Sequence, residues 1–181
     1  LILGNASALT PQKGYEVLLE ALFLLKKRST KPFVCLIAGR GELLSALKNQ
    51  RDQYGLTDCV KFVGWVDNPE EFIAGLDLFT ISSRYEGLGT IILDAIYAQS
   101  CVVATPVGGI PEMITDNKTG ILSQRADAQS YTEALMRVVN NPDYQAELAK
   151  NALQFVHKNF SVQKMVDDNF KLYQSLLTVK S

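Results

Sequence analysis

Short apolar runs alternate with amphipathic segments along the whole sequence, and this alternation predicts the fold. The runs at residues 33–38, 76–82 and 101–104 are largely apolar, as expected of strands buried on both faces of a sheet. The segments between them, such as residues 13–28, carry apolar residues at helical spacing. Buried strands that alternate with helices are typical of a parallel sheet. Right-handed crossovers then predict a doubly wound, Rossmann-like α/β sheet with helices on both faces.

The same reasoning predicts the remaining elements. Further strands are expected at residues 1–3, 60–63 and 119–122. Further helices are expected at residues 42–54, 88–98, 127–140, 143–158 and 162–177, with a helical turn at residues 111–114. Asn68, followed by Pro69, and Ser161 are predicted N-caps. The apolar residues of the last helix (Val162, Met165, Val166, Phe170 and Leu177) are interpreted as core packing, with docking on a domain outside this chain as the alternative.

The composition is that of a globular domain, and it restricts the classes of partner. The chain has 181 residues, 47% of them hydrophobic and 20% charged, which is the balance of about one folded domain. A net charge of −1 gives no basic surface for nucleic acid and no polybasic membrane anchor. A single histidine and widely spaced cysteines argue against a zinc site, and Cys35 and Cys101 are interpreted as buried apolar residues.

The start of the chain and its hydropathy lead to two expectations. No apolar run reaches the roughly 18 residues that a membrane span requires. The chain begins at Leu1 without an initiator methionine and without a signal peptide. We therefore expect a cytoplasmic domain cut from a longer protein.

Ligands of doubly wound sheets bind outside the carboxyl ends of the strands, so the loops that follow strands are the places to look for chemistry. In the first such loop, Lys13 and Gly14 precede a helix whose positive end disfavours a cation. A bound anion would resolve that conflict, and the alternative is a solvated lysine beside a turn. The second loop, Gly39-Arg40-Gly41, ends a strand and opens a helix. Its N–H groups could cradle a phosphate or a sugar, although a tight turn explains the same glycines.

The third loop, residues 82–90, carries the most informative residues. It runs into the predicted helix at residues 88–98, which presents free N–H groups and a positive dipole end. Glu86 stands just before that helix, and Asp94 lies eight residues later, two turns inside it. Carboxylates so far apart suit the two ends of one elongated, hydroxyl-rich ligand. For Glu86 alone, the alternative is a carboxylate that caps the helix. A fourth loop, residues 105–112, contains Gly108 and Gly109.

Seven short motifs occur in an order that is familiar from one family. They are Lys13-Gly14, Gly39-x-Gly41, Phe62-x-Gly64, residues 82–94, Gly108-Gly109-x-Pro111-Glu112, Gly120 and Phe160-Ser161. Over nearly the whole chain they resemble the C-terminal, donor-binding domain of retaining GT-B glycosyltransferases of the family 4 type, also called glycosyl transferases group 1. The most specific element of this resemblance is the E-x7-E motif, present here as Glu86-Gly-Leu-Gly-Thr-Ile-Ile-Leu-Asp94.

The resemblance implies a retaining, metal-independent hexosyl-type transferase whose co-substrate is a nucleoside-diphosphate sugar of UDP or GDP type, with no further cofactor. It places Lys13 on the diphosphate and Glu86, as the catalytic residue, beside the sugar. It also assigns further positions of this chain to the nucleotide sugar. These are the backbone of Gly87, Leu88, Gly89 and Thr90 for phosphates and sugar hydroxyls, Asp94 for the ribose, and Arg40, Gly41 and the segment from Gly64 for the base.

The chain departs from the family pattern after the helix of Asp94, where Gln99-Ser100-Cys101 replaces a Gly-x-Pro, and at two positions of the predicted site. Ala8 stands five residues before Lys13, where the family usually has an arginine, and Asp94 replaces the second glutamate of the motif. One of two cations for the diphosphate is therefore missing. Arg40 or Arg84 could supply the charge instead.

The resemblance makes residues 1–181 the donor-binding half of a protein whose N-terminal, acceptor-binding domain lies outside this chain. The acceptor would be a glycan or lipid-linked glycan of bacterial envelope polysaccharide or lipopolysaccharide synthesis. The missing domain could hold the protein at the inner face of the membrane. We expect this half alone to bind nucleotide sugar without turnover. Two alternatives stay open: a non-catalytic nucleotide- or sugar-binding module, and a GT-B sugar-nucleotide epimerase, for which one histidine offers few acid/base groups.

Overall fold

A computed structural model describes residues 1–124 and 127–178, and six strands form one sheet at its centre. All pairings between neighbouring strands are parallel, and their order across the sheet is β3-β2-β1-β4-β5-β6. This is the doubly wound, Rossmann-like sheet that the sequence predicted. The strands are β1 (Ile2–Ala6), β2 (Val34–Ala38), β3 (Val60–Gly64), β4 (Leu78–Ile81), β5 (Cys101–Ala104) and β6 (Ile121–Leu122).

Eight α-helices and one 3-10 turn connect or follow these strands within the described residues, and each lies in a segment that the sequence predicted to be helical or next to one. The 3-10 turn is Pro11–Lys13. The helices are α1 (Tyr15–Arg28), α2 (Leu44–Gln53), α3 (Pro69–Ala74), α4 (Ile91–Tyr97), α5 (Ile110–Met113), α6 (Ala128–Val139), α7 (Pro142–Asn159) and α8 (Val162–Thr178).

The helices cover both faces of the sheet and divide the core into two clusters. Successive residues of β5 alternate between them: Cys101 and Val103 belong to one cluster, Val102 and Ala104 to the other. The first cluster includes the buried sides of α1, α2 and α6, and the second those of α3, α4 and α5, while α7 contributes to both. Because the central strands are covered on both faces, a ligand can approach them only at their ends.

Two helices begin later than predicted because a glycine in the left-handed conformation precedes each of them. Gly14 has a φ of 61°, and α1 starts at Tyr15. Gly89 has a φ of 73°, and α4 starts at Ile91 rather than at residue 88. Residues 87–90 therefore belong to a loop. Asp94 lies in the first turn of α4, so the prediction that it stands two turns inside the helix was wrong.

Both predicted N-caps are confirmed. Asn68 Oδ1 accepts the Glu71 N–H at 3.2 Å at the start of α3. Ser161 Oγ accepts the Lys164 N–H at 3.1 Å at the start of α8. Each side chain satisfies an N–H group that the first turn of a helix leaves without a backbone partner.

The last helix contradicts its prediction. Its apolar side chains are exposed rather than packed in the core, and Phe170, for example, keeps 61% of its surface accessible. At the α-helical rotation per residue they share one face, within an arc of about 160°. We call this set the apolar face of α8. Its members are Val162, Met165, Val166, Phe170, Leu172, Tyr173, Leu176 and Leu177. None of the described helices combines the length and apolar character that crossing a membrane requires.

Candidate functional site

The order of the strands reverses between β1 and β4, and the loops that leave these two strands meet at the carboxyl end of the sheet. Residues 7–14 follow β1, and residues 82–90 follow β4. The backbone joins the loops directly, since Arg84 N–H donates to Gln12 O at 2.8 Å. Such a switch point is where open α/β sheets bind their ligands.

Lys13 and Glu86 form an ion pair between these two loops. Lys13 Nζ donates to Glu86 Oε1 at 2.6 Å, and Ser83 Oγ donates to the same oxygen at 2.6 Å. Only 19% of the Lys13 side chain and 7% of the Glu86 side chain are exposed. The carboxylate therefore balances the positive charge beside α1, and Lys13 is not the solvated lysine of the alternative interpretation. Glu86 is not a helix cap either, because α4 begins five residues later.

A glycine and a serine fix the backbone that carries Lys13. A Cβ on Gly14 would lie 2.2 Å from Ser82 O, so only glycine fits this crossing of the two loops. Ser82 Oγ donates to the carbonyl oxygens of Lys13 and Gly14 at 3.1 and 3.0 Å. These contacts set where the Lys13 side chain starts, and the sequence analysis missed the role of Ser82.

The fourth loop supports the third from the side of β5. Gly108 has a φ of 56°, and a Cβ there would lie 1.9 Å from Glu86 O. Gly109 N–H donates to Gly87 O at 2.8 Å. Beside Gly87, by contrast, nothing lies within 4 Å of a Cβ position, so this part of the loop borders open space. Two of the predicted glycines thus pack the loop, and Gly87 leaves room next to it.

The glycines of the second loop hold it against the loop after β1. A Cβ on Gly39 would lie 1.9 Å from Ser7 O, and one on Gly41 would lie 2.3 Å from Leu9 O. Leu9 N–H donates to Arg40 O at 2.9 Å. Close packing of two backbones therefore accounts for both glycines. Contact of Gly41 with a nucleotide sugar stays a prediction.

A cleft of about 290 Å³ opens beside these loops, between the ends of β1, β2 and β3. Arg40 and Ala8 both line it. The cleft therefore holds an arginine close to position 8, where the family usually has one. The Arg40 guanidinium lies 5.9 Å from the centre of the Trp65 ring, and Trp65 Nε1 donates to Asp67 Oδ1 at 2.9 Å. Trp65 directly follows Gly64, whose φ of 79° turns the chain at the end of β3.

Trp65 is a second residue that the sequence analysis missed. It is 61% exposed, whereas a tryptophan in a domain of this size is normally largely buried. The signal in the sequence was a lone tryptophan directly after a strand-ending glycine. Arg84, the other candidate for the missing charge, is engaged elsewhere, because its Nε donates to Glu16 Oε1 at 2.7 Å.

Asp94 occupies a neighbouring recess instead of the cleft around Arg40. It is exposed in the first turn of α4 and lines a space of about 390 Å³ with Glu70 and Tyr97. Partial burial and then the nearby Glu70 carboxylate raise the pKa of Asp94. The structure therefore brings Lys13 and Glu86 into contact and leaves Asp94 beside another acid. The prediction that Glu86 and Asp94 hold the two ends of one ligand stays untested.

The fold of this chain is that of one class of protein, the GT-B glycosyltransferases. The crystal structure of Anabaena HepE in complex with UDP and glucose matches 98% of this chain and 48% of that chain, with a TM-score of 0.83 and 24% identity. The C-terminal domain of the glycosyl transferase group 1 family protein LpcC from Francisella tularensis matches 89% of this chain and 86% of that chain, with a TM-score of 0.81 and 22% identity. At these identities the likeness establishes the fold.

The sequence identifies the family within this class. The chain belongs to the glycosyl transferases group 1, whose family model matches residues 1–155. A curated relative is the lipopolysaccharide core biosynthesis glycosyltransferase LpsE of Rhizobium meliloti strain 1021. It is 28% identical over 165 residues, which are 91% of this chain and 47% of LpsE. The chain spans about half the length of the curated relatives it matches.

Proposed function

We propose that this chain is the donor-binding half of a retaining glycosyltransferase that transfers a hexose-type sugar from a UDP or GDP sugar to an acceptor. The observation that carries the proposal is the contact between Lys13 and Glu86 at the switch point of a group 1 chain. A buried acid paired with a lysine at a ligand-binding edge is the charge pattern that an anionic leaving group and a sugar require.

The chemistry of transfer explains why both charges are useful. As the bond between the anomeric carbon and the diphosphate breaks, the sugar acquires positive charge and the diphosphate gains negative charge. Lys13 would bind the diphosphate and stabilise that developing charge more than the ground state. The Glu86 carboxylate, no longer shared with Lys13, would then face the sugar. This division of roles needs no metal ion.

The cleft around Arg40 supports the assignment of the nucleotide. It adjoins the loop of Lys13, and it offers an exposed aromatic ring on Trp65 next to an arginine. A base can stack on such a ring, and the diphosphate can take the second cation from Arg40. Arg40 would thus supply the positive charge of the arginine that the family usually has at position 8. Gly41 and Gly64, which adjoin Arg40 and Trp65 in the chain, would lie near the base. Gly87, Leu88, Gly89 and Thr90 would hold phosphates and sugar hydroxyls, and Asp94 would hold the ribose.

The rest of the reaction is assigned to a second domain. The relatives are about twice as long as this chain, so we propose that an N-terminal domain supplies the acceptor site. The apolar face of α8 would pack on that domain, because eight large exposed side chains on one face favour burial against protein. LpsE is named for lipopolysaccharide core biosynthesis, and we propose a comparable envelope glycan or lipid-linked glycan as acceptor. Three buried free cysteines fit a cytoplasmic reaction.

One observation favours a second function, a module that binds a nucleotide or a sugar without catalysis. Ala8 places a methyl group in the cleft where the family resemblance implies a cation. Loss of a charged hydrogen bond weakens binding by about one to two decades. Sugar transfer by the intact protein would exclude this module, and analysis of the product would distinguish transfer from epimerisation of the nucleotide sugar.

A thermal-shift titration of this chain tests the proposal. The ligands are UDP, GDP, ADP, CMP, UDP-glucose and GDP-mannose. At 100 times the dissociation constant, a bound ligand should raise the melting temperature by about 5–10 °C. We expect one nucleoside diphosphate to do so and Lys13→Ala to abolish the shift.

The matched control is Lys150→Ala, which removes an exposed lysine of α7 and should leave the shift unchanged. A shift that survives both Lys13→Ala and Glu86→Ala would remove Lys13 and Glu86 from the site. Absence of any shift, both here and in the protein joined to its N-terminal domain, would contradict the proposal as a whole.

A further inference from the structure

We propose that Ser83 and Thr105 are positioning residues that hold the Glu86 carboxylate in place for sugar transfer. The inference rests on the proposed function of Glu86. It concerns two buried hydroxyl groups that are linked in series to that carboxylate. Neither residue needs to touch the nucleotide sugar in order to act.

Ser83 fixes Glu86 independently of Lys13. The Ser83 side chain is fully buried, and its Oγ donates to Glu86 Oε1 at 2.6 Å. A hydroxyl donating to a carboxylate at this distance makes a charge-assisted hydrogen bond, which is stronger than one between neutral groups. Since Ser83 is buried, no bulk water competes for this hydrogen.

The independence from Lys13 matters when the nucleotide sugar binds. In the structure, Lys13 and Ser83 donate to the same oxygen of Glu86. A diphosphate that takes Lys13 removes one of these two contacts. Ser83 then keeps the carboxylate in its rotamer while the positive charge moves to the leaving group. A carboxylate already held in place needs no rearrangement during the reaction.

Thr105 fixes Ser83 in turn. Thr105 is fully buried just beyond β5, and its Oγ1 donates to Ser83 O at 2.6 Å. Its own N–H donates to Ile81 O at 3.0 Å, at the end of β4. The backbone of Ser83 is thereby tied to two neighbouring strands. The position of Glu86 thus follows from the sheet through two hydroxyl groups.

Another buried serine of this chain shows what a purely structural hydroxyl looks like. Ser100 Oγ donates to the carbonyl oxygens of Leu76 and Ile73 at 2.8 and 3.2 Å. Ser100 is 1% exposed, about as buried as Ser83, and all its recorded hydrogen bonds go to backbone. Ser100→Ala is therefore the matched control for Ser83→Ala.

A double-mutant cycle on this chain, without any ligand, tests whether Ser83 acts through Glu86. The variants are Ser83→Ala, Glu86→Ala and both together, compared by urea unfolding. We expect the effect of Ser83→Ala to shrink by at least half in the Glu86→Ala background, because the shared hydrogen bond is already lost. Ser100→Ala should have the same effect in both backgrounds. Additive effects of Ser83→Ala and Glu86→Ala would overturn the inference.

Kinetics of the intact protein test the positioning itself, with nucleotide release from UDP-glucose and GDP-mannose as the readout. Ser83→Ala should lower kcat about 10- to 100-fold, the loss expected for one charge-assisted hydrogen bond. Thr105→Val should lower kcat by a smaller factor, because the bond from Thr105 Oγ1 to Ser83 O joins two neutral groups. KM should change less. Thr105→Ser keeps the hydroxyl and should restore most of kcat, whereas a role of Thr105 in packing alone would make it no better than Thr105→Val.

The outcomes separate this inference from the proposed function. If Glu86→Ala leaves nucleotide release unchanged, the proposed function fails. If Glu86→Ala abolishes release while Ser83→Ala and Thr105→Val behave like Ser100→Ala, the positioning inference fails and the proposed function stands. If neither nucleotide sugar is turned over, the unfolding cycle decides.

Discussion

At the scale of single residues, Arg40 is the side chain on which nucleotide affinity should depend most after Lys13. It lines the same cleft as Ala8, and it lies close to Trp65. If Arg40 supplies the second cation that we propose for the diphosphate, Arg40→Ala should weaken binding of UDP or GDP about 10- to 100-fold, the loss expected for one charged hydrogen bond. Isothermal titration measures this directly.

A variant at Ala8, where the chain departs from the family pattern, complements Arg40→Ala. Ala8→Arg places an arginine where the resemblance implies one, and in the Arg40→Ala background it should recover most of the lost affinity. The matched control is Arg137→Ala, which removes an arginine of α6 whose recorded partner is Asn117. If Arg40→Ala binds as tightly as the parent chain, the missing charge is not supplied by Arg40.

Gly108 should be far less replaceable than its backbone angle alone implies. Gly108 and Gly55 have nearly equal φ angles of 56° and 62°. A Cβ on Gly108 would strike Glu86 O, whereas nothing lies within 4 Å of a Cβ on Gly55. Gly55→Ala should therefore lower the free energy of unfolding by only about 1–2 kcal/mol, the strain of a left-handed residue.

Gly108→Ala carries the same strain and also displaces the loop of Glu86. It should destabilise the chain more than Gly55→Ala, and it alone should weaken nucleotide binding. Urea unfolding and thermal shift measure the two effects. Equal losses in the two variants would show that the contact of Gly108 with Glu86 O is of no consequence.

The buried thiols should make the chain less stable at alkaline pH. Burial raises the pKa of Cys35 and Cys101 to about 12, in agreement with their interpretation as buried apolar residues. In the unfolded chain, thiols ionise near their ordinary pKa of about 8.5. The contribution of these two thiols to the free energy of unfolding is therefore fully present below that pH. It is lost progressively as the pH rises toward 12.

Urea unfolding at a series of pH values measures this loss. We expect the free energy of unfolding to fall between about pH 8 and pH 10, and Cys35→Ala to make the fall shallower, since one ionisable group is removed. Lys48→Ala, on the exposed surface of α2, is the control and should leave the slope unchanged. An unchanged slope in Cys35→Ala would assign the pH dependence to other groups.

At the scale of elements, sequence patterns predicted a strand or a helix start correctly where residues within that element determine it. Apolar runs located the strands, and side-chain caps such as Asn68 and Ser161 located the helix starts. The start of α4 was placed too early because residue type alone does not show that Gly89 adopts the left-handed conformation that delays the helix. Residues 87–90 form a loop that is bonded to Gly109, and no pattern within residues 82–98 reveals that contact.

The amphipathic pattern of α8 also shows how far local reasoning reaches. Its apolar face was found correctly, but a hydrophobic stripe does not say what covers it. In this chain, Phe170→Ala should therefore change the free energy of unfolding by less than about 0.5 kcal/mol. The matched variant is Phe79→Ala, because Phe79 is fully buried in β4 and should cost about 3–5 kcal/mol. Similar losses in both variants would mean that α8 is packed.

At the scale of the whole molecule, Phe170→Ala should destabilise the intact protein although it is nearly neutral in this chain. If the apolar face of α8 packs on an N-terminal domain, Phe170→Ala should lower the melting temperature of the intact protein. Phe79→Ala should lower it in both the intact protein and this chain. An intact protein that tolerates Phe170→Ala as well as this chain does would contradict the docking of α8.

Contacts between residues far apart in the chain are the part of the site that the sequence did not predict. Lys13 and Glu86 were each recognisable by position, yet their ion pair joins residues 73 positions apart, and it depends on the order of the strands. Ser83 and Thr105 were invisible because buried hydroxyls carry no pattern of their own. Trp65 could have been noticed, since a lone tryptophan beside a strand-ending glycine is unusual.

The positions at the carboxyl edge of the sheet fall into two sets, which differ in how many residue types each position can accept. Gly14, Gly39, Gly41 and Gly108 stand where one backbone crosses another and admit no side chain. Ala8, Arg40, Trp65 and Asp67 line the cleft beside them and are all exposed. Evolution, or a combinatorial library, can therefore vary the second set freely without endangering the fold. Altered preference for the nucleotide should arise there, while the first set stays fixed as the frame.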